Sequence, residues 1–206
     1  MTEEVISSPP VLAAGNWVWL LAPQRQDKAV VIAPEQDALA GVLAPHFGEV
    51  ARVAPGEAGS LANANDSVDL VAISRLEDCA PGDLRWLEMA VAEGRRALRN
   101  GGCALVTFVN PYWARRYLRG WGPDRLVSRS RVMGTLEGAG FSRLASYYIQ
   151  PFPEAASSII PIWGPAAVHH ERMEHMSSAL GRYRPLVARL GGHALLYPGC
   201  ACVGYL

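Results

Sequence analysis

Hydrophobic and polar residues follow one another in blocks along this chain, and the blocks predict strands separated by helices. Residues 29–33 (Ala-Val-Val-Ile-Ala) are an apolar run bounded by a lysine and a proline, the mark of a buried strand. Residues 36–44 follow with Leu39, Val42 and Leu43 on one helical face, and residues 49–53 and 68–73 read as further strands. Residues 83–98 give the clearest helix: Leu84, Leu87, Val91 and Leu98 share a face, Asp83 is placed to cap it, and Asn100-Gly101-Gly102 to end it. A strand at 103–109, a helix at 129–138 and a strand at 144–149 come next. Residues 151–165 are a proline-rich connection, 167–190 a last helix bent near Gly181 and Pro185, and 200–205 a terminal strand. Residues 1–13, with tandem prolines, read as a loose tail.

Strands separated by helices imply an α/β fold, a doubly wound and mainly parallel sheet with helices on both faces. Residues 14–206 then form a single domain, with a helical and loop insert at about 151–198. Ligands of such sheets bind beyond the carboxyl ends of the strands, here near residues 33–37, 54–57, 74–77 and 110–113.

Composition narrows the class. Half of the 206 residues are hydrophobic and 18% are charged, which excludes a disordered or fibrous chain. No apolar run is long enough to span a membrane, and the acidic Met-Thr-Glu-Glu start is unlike a secretory signal. Four scattered cysteines (Cys79, Cys103, Cys200, Cys202) fit a reducing, cytoplasmic setting. Net charge is zero, yet residues 1–100 carry 14 acids against eight basic residues, and residues 101–206 carry five acids against eleven arginines. That asymmetry directs an acidic partner or an anionic ligand to the second half, while the neutral total argues against a nucleic-acid partner.

Several segments, in order, resemble the class I S-adenosylmethionine-dependent methyltransferases. Ser67-Val68-Asp69-Leu70-Val71 is similar to their fourth strand, Ala97-Leu98-Arg99-Asn100-Gly101-Gly102 to the turn before their fifth, and Leu136-Glu137-Gly138-Ala139-Gly140-Phe141 to a later helix-ending turn. Residues 19–28 resemble the segment before their first strand, and 33–50 have the length and apolar pattern of the loop, helix and second strand after it. The resemblance covers about residues 17–150. It implies a Rossmann-like methyltransferase sheet of six or seven strands, the last antiparallel and supplied by residues 200–205.

The cofactor loop departs from that pattern. The family ends its first strand in an acid and a glycine-rich loop, because small residues let the backbone approach the cofactor. Here the loop is Ala33-Pro34-Glu35-Gln36-Asp37-Ala38, without glycine, and Pro34 removes a donor N–H. The acid expected at the end of the second strand is replaced by Val53-Ala54-Pro55-Gly56, with Glu57 placed to reach back. Glu35 or Asp37 can instead cap the following helix. The departure predicts a degenerate site and no cofactor. If S-adenosylmethionine does bind, the residues in position are Ala33, Glu35, Asp37, Asp66 and Ser74.

Other chemistry is thinner. His169-His170-Glu171-Arg172-Met173-Glu174-His175 lacks the zinc spacing, so no metal site is expected, although His169, His170 or Tyr112 could serve as an acid or base in the same cleft. No nucleophile elbow and no phosphate-binding P-loop occurs. Cys200 and Cys202 fall on one face of a strand and read as buried thiols.

Residues 111–121 stand apart. Continued as one helix, they would set Trp113, Tyr117 and Trp121 in a line flanked by Arg115, Arg116 and Arg119. The bland reading is a lid helix with its aromatics packed inward. The functional one is a partner anchor, since Trp, Tyr and Arg dominate interface hot spots; peripheral membrane contact is the other option.

The sequence therefore favours a non-catalytic accessory subunit binding another, acidic protein. It leaves open a methyltransferase acting on a small molecule or peptide, and an enzyme of other chemistry in the same cleft.

Overall fold

Seven runs of strand-forming residues assemble into one sheet of order β2-β1-β3-β4-β7-β5-β6. The structure is a computed structural model and describes residues 21, 25–61, 66–118, 125–150, 158–162 and 197–206. The elements are β1 (Lys28–Ile32), α1 (Leu39–Leu43), β2 (Glu49–Val53), β3 (Val68–Ile73), α2 (Leu76–Cys79), α3 (Leu84–Ala97), β4 (Leu98–Val109), α4 (Pro111–Tyr117), α5 (Arg129–Gly138), β5 (Arg143–Gln150), β6 (Ser158–Pro161) and β7 (Gly199–Tyr205). Strands β1 to β4 pair in parallel, and β7 runs antiparallel between β4 and β5. The expected fold is the one observed.

The central strands β1, β3, β4 and β7 are buried on both faces over most of their length, as their continuous apolar runs require. One core joins Val30, Val71 and Val106 to Leu87 and Val91 of α3 and to Val132 and Leu136 of α5. The other joins Val31, Ala72 and Leu105 to Leu39 and Leu43 of α1. Asp83 caps α3 as expected, accepting from the N–H groups of Arg85 (3.0 Å) and Trp86 (3.2 Å).

Three expectations change. The Asn100-Gly101-Gly102 stretch does not end α3; it lies inside β4, which begins at Leu98. The register against β3 shifts there, Gly101 takes φ 78°, and a Cβ on Gly102 would lie 3.0 Å from the carbonyl oxygens of Asp69 and Arg99. The glycines serve a strand irregularity, not a helix terminus. The proline-rich connection contains β6, antiparallel to β5, where Ile159 and Ile160 supply β-branched residues between the prolines. Helix α4 stops at Tyr117, because Leu118 is extended (φ −103°, ψ 99°), so the single helix expected over 111–121 ends there; Trp121 lies outside the described residues. The tail at 1–13 and the helix expected at 167–190 lie outside the described residues.

Strand β7 tolerates no side chain at Gly204. A Cβ there would stand 2.8 Å from Cγ of the buried Phe141 ring. Gly204→Ala is expected to lower stability by about 1–3 kcal/mol through overpacking. Urea denaturation measures it, and an unchanged midpoint would show that the ring yields freely.

Candidate functional site

The sheet has its switch point between β1 and β3. From β1 the chain moves outward to β2 and then returns to the other side of β1 with β3. The crevice beyond the carboxyl ends of these two strands is where such folds place ligands. A row of polar groups crosses it. The Asp37 N–H donates to the Pro34 carbonyl (3.1 Å), closing a tight turn, and the Arg52 guanidinium donates to the same oxygen. The buried Asp37 carboxylate accepts from the Leu39 N–H at the start of α1 (2.8 Å) and from the Ser74 hydroxyl at the end of β3 (2.9 Å). The Thr107 hydroxyl on β4 donates to Ser74 Oγ (3.4 Å) and accepts from the Arg75 N–H (3.1 Å). Arg75 holds a left-handed φ of 52°, fixed by that bond and by its 2.6 Å ion pair with Asp78.

Deeper along the edge, the buried Glu77 carboxylate accepts from the Val109 N–H (3.0 Å). Burial pushes its pKa up to about 7 against the lowering effect of its backbone hydrogen bonds. Cys79 donates to the Ser74 carbonyl (3.1 Å). Burial first, and then the carboxylates of Glu77, Asp37 and Asp78, push its thiol up to about 12, so it is not a thiolate nucleophile near neutrality. Asn110 ties the end of β4 to the start of β7, donating from Nδ2 to the Tyr197 carbonyl (2.9 Å) and accepting from the Tyr112 N–H (3.1 Å).

Of the residues anticipated for a cofactor, the structure brings Ala33, Asp37 and Ser74 together; Asp37 and Ser74 are hydrogen-bonded and buried, so they fix the loop. Glu35 is exposed on the rim. Asp66 precedes β3 and therefore sits at the opposite edge of the sheet, with its N–H directed to the Arg96 carbonyl (3.4 Å). Tyr112 is 61% exposed, Trp113 is half-buried and Arg115 exposed. Arg116 and Tyr117 belong to α4, while Arg119, Trp121, His169 and His170 lie outside the described residues. Glu77, Thr107 and Asn110 were not anticipated. Asn110-Pro111 after an apolar run carried a helix-start signal; nothing in the sequence marks Glu77 as buried.

No protein-family model and no curated protein matches the chain. Solved structures match its shape. A methyltransferase of Archaeoglobus fulgidus described as S-adenosylmethionine-dependent superposes with a TM-score of 0.59 at 12% identity, over 92% of this chain and 90% of that one. Another, from Thermotoga maritima, gives 0.54 at 15% identity, over 95% and 88%. Phosphoethanolamine N-methyltransferase 2 of Haemonchus contortus, in complex with phosphomonomethylethanolamine and S-adenosylhomocysteine, gives 0.51 at 12% identity, over 92% of this chain and 51% of that one. The chain has the class I methyltransferase-like fold.

These neighbours overturn the expectation of no cofactor: the fold is that of S-adenosylmethionine-dependent proteins, one of them holding S-adenosylhomocysteine. The glycine-free loop itself closes its turn through the Pro34 carbonyl and the Asp37 carboxylate.

Proposed function

We propose that this chain is an S-adenosylmethionine-dependent methyltransferase acting on a small molecule or peptide. The observation that carries the reading is the methyltransferase-like fold, with its glycine-free loop at the switch point tied to β3 by the Asp37–Ser74 bond. The donor set there fits the cofactor. Ala33 is small, Ala54 and Gly56 follow β2 without bulk, and Glu35 and Glu57 are exposed carboxylates that could accept from ribose hydroxyls or an ammonium group. Acidic side chains on the same edge suit a ligand whose sulfonium is cationic. The bound cofactor would supply an electrophilic methyl group. The chain's part is to hold the loop, orient the acceptor and exclude water.

The accessory-subunit reading has less support, because the structures that share this fold are described as S-adenosylmethionine-dependent methyltransferases. Among the described residues no helix is long and apolar enough to cross a membrane.

Titration calorimetry with S-adenosylmethionine and S-adenosylhomocysteine tests the proposal. Micromolar binding is expected. Glu35→Gln, a change on the exposed rim, is expected to weaken it roughly tenfold, the loss of one charge-assisted hydrogen bond, without moving the melting temperature. No saturable heat with either compound would remove the reading.

A further inference from the structure

A small pocket of about 130 Å³ opens where α4, α5, β5 and β7 meet, and Tyr112, Ser128, Arg129, Ser130, Tyr148 and Cys200 line it. Its cation is Arg129. That guanidinium donates to the Ser146 hydroxyl (3.2 Å), and no carboxylate pairs with it among the described residues. A guanidinium has five N–H donors, so this bond leaves most of them for a ligand. Its charge reaches the pocket floor: burial pushes the Tyr148 hydroxyl and the Cys200 thiol up, and Arg129 opposes both shifts. The Ser128 and Ser130 hydroxyls lie 3.0 Å apart beside it. An adjoining recess of about 440 Å³ shares Ser128 and adds Arg115 and Arg131, which also have no ion pair among the described residues. Of the other described arginines, Arg75, Arg96 and Arg99 each face a carboxylate, Arg52 donates to the Pro34 carbonyl and Arg143 lies over the Tyr205 ring.

Size limits the occupant. At about 30 Å³ per water the pocket holds roughly four waters, which suits a phosphate or carboxylate group but not a whole drug-sized molecule. Position relates it to the crevice. Cys200 pairs with Phe108 of β4 and with Tyr148 of β5, so the pocket lies two to three strands from the end of β3. At about 4.8 Å per strand that is roughly 10–14 Å, a span one small acceptor can bridge.

We infer that the methyl acceptor carries an anionic oxyacid group, phosphate or carboxylate, held in this pocket by the Arg129 guanidinium with the hydroxyls of Tyr112, Ser128 and Ser130. The inference rests on the methyltransferase reading for the word acceptor, and on the pocket alone for the anion.

Inorganic phosphate and acetate are the probes, titrated into the ¹⁵N-labelled full chain while backbone amide shifts are followed. Saturable shifts at residues 128–131 are expected; tighter phosphate assigns a phosphate group, tighter acetate a carboxylate. Arg129→Gln is expected to weaken binding roughly tenfold or more, and Arg129→Lys less, since it keeps the charge and loses the fork. The same spectra report whether each variant is folded. No saturable shift with either anion, or equal affinity in a folded Arg129→Gln, overturns the inference. S-adenosylhomocysteine titrated into the wild-type chain separates the two readings. Anion binding without it keeps the pocket and overturns the acceptor role, and its binding without anion binding overturns the pocket alone.

Discussion

Asp69→Ala is expected to cost about 3–5 kcal/mol of stability, a large part of what a domain of this size has to lose. Asp69 is 1% exposed at the amino end of the sheet. Its Oδ2 accepts from the N–H groups of Asp27 (2.8 Å) and Lys28 (2.9 Å) and from Nη2 of Arg99 (3.1 Å). Nε of Arg99 adds an ion pair to Oδ1 at 2.8 Å, although its N–H is not aimed along a hydrogen bond. One carboxylate therefore binds the start of β1 to β3 and β4. Its removal orphans two backbone donors and strands a largely buried guanidinium with only the exposed Asp27 for charge, at 3.3 Å. Urea denaturation gives the number. A loss below about 1 kcal/mol would show that water takes over these partners.

The second large effect depends on pH. Glu77 titrates near 7 in the folded chain and near 4.5 when exposed, so the folded state binds the extra proton between those values. Its contribution to stability is fully present below about pH 4.5 and is lost as pH rises through about 7. Glu77→Gln keeps an acceptor for the Val109 N–H and never ionises. The variant is expected to match wild type near pH 4 and to exceed it above pH 7, by an amount on the order of 3 kcal/mol. Unfolding curves from pH 4 to 9 test this; a constant difference across the range would mean that Glu77 does not titrate between its two states.

Most of the fold was legible because its strands are continuous apolar runs and α3 has an uninterrupted face with Asp83 before it. The pattern failed where backbone geometry and not hydrophobicity decides. Asn100-Gly101-Gly102 has the composition of a helix terminator, yet it accommodates a register shift in β4. At the site, Asp37 was readable as a helix cap, and its carboxylate accepts from the first N–H of α1, at Leu39, from one residue before the N-cap Ala38. Its second bond, to Ser74, joins residues 37 apart in sequence and was invisible to local reading. Arg129 looked like any other arginine, because its significance lies in the neighbours that β5 and β7 bring to it.

The placement of β7 has a consequence for synthesis. This strand is the only hydrogen-bonded link between β4 and the β5–β6 hairpin among the described residues. Between the end of β4 at Val109 and the start of β7 at Gly199 the ribosome must add 89 residues. At ordinary translation rates that takes on the order of 5–20 s, during which β4 presents an open, apolar edge. Stalling within that interval would leave the half-sheet with an unpaired edge open to pairing with its own kind.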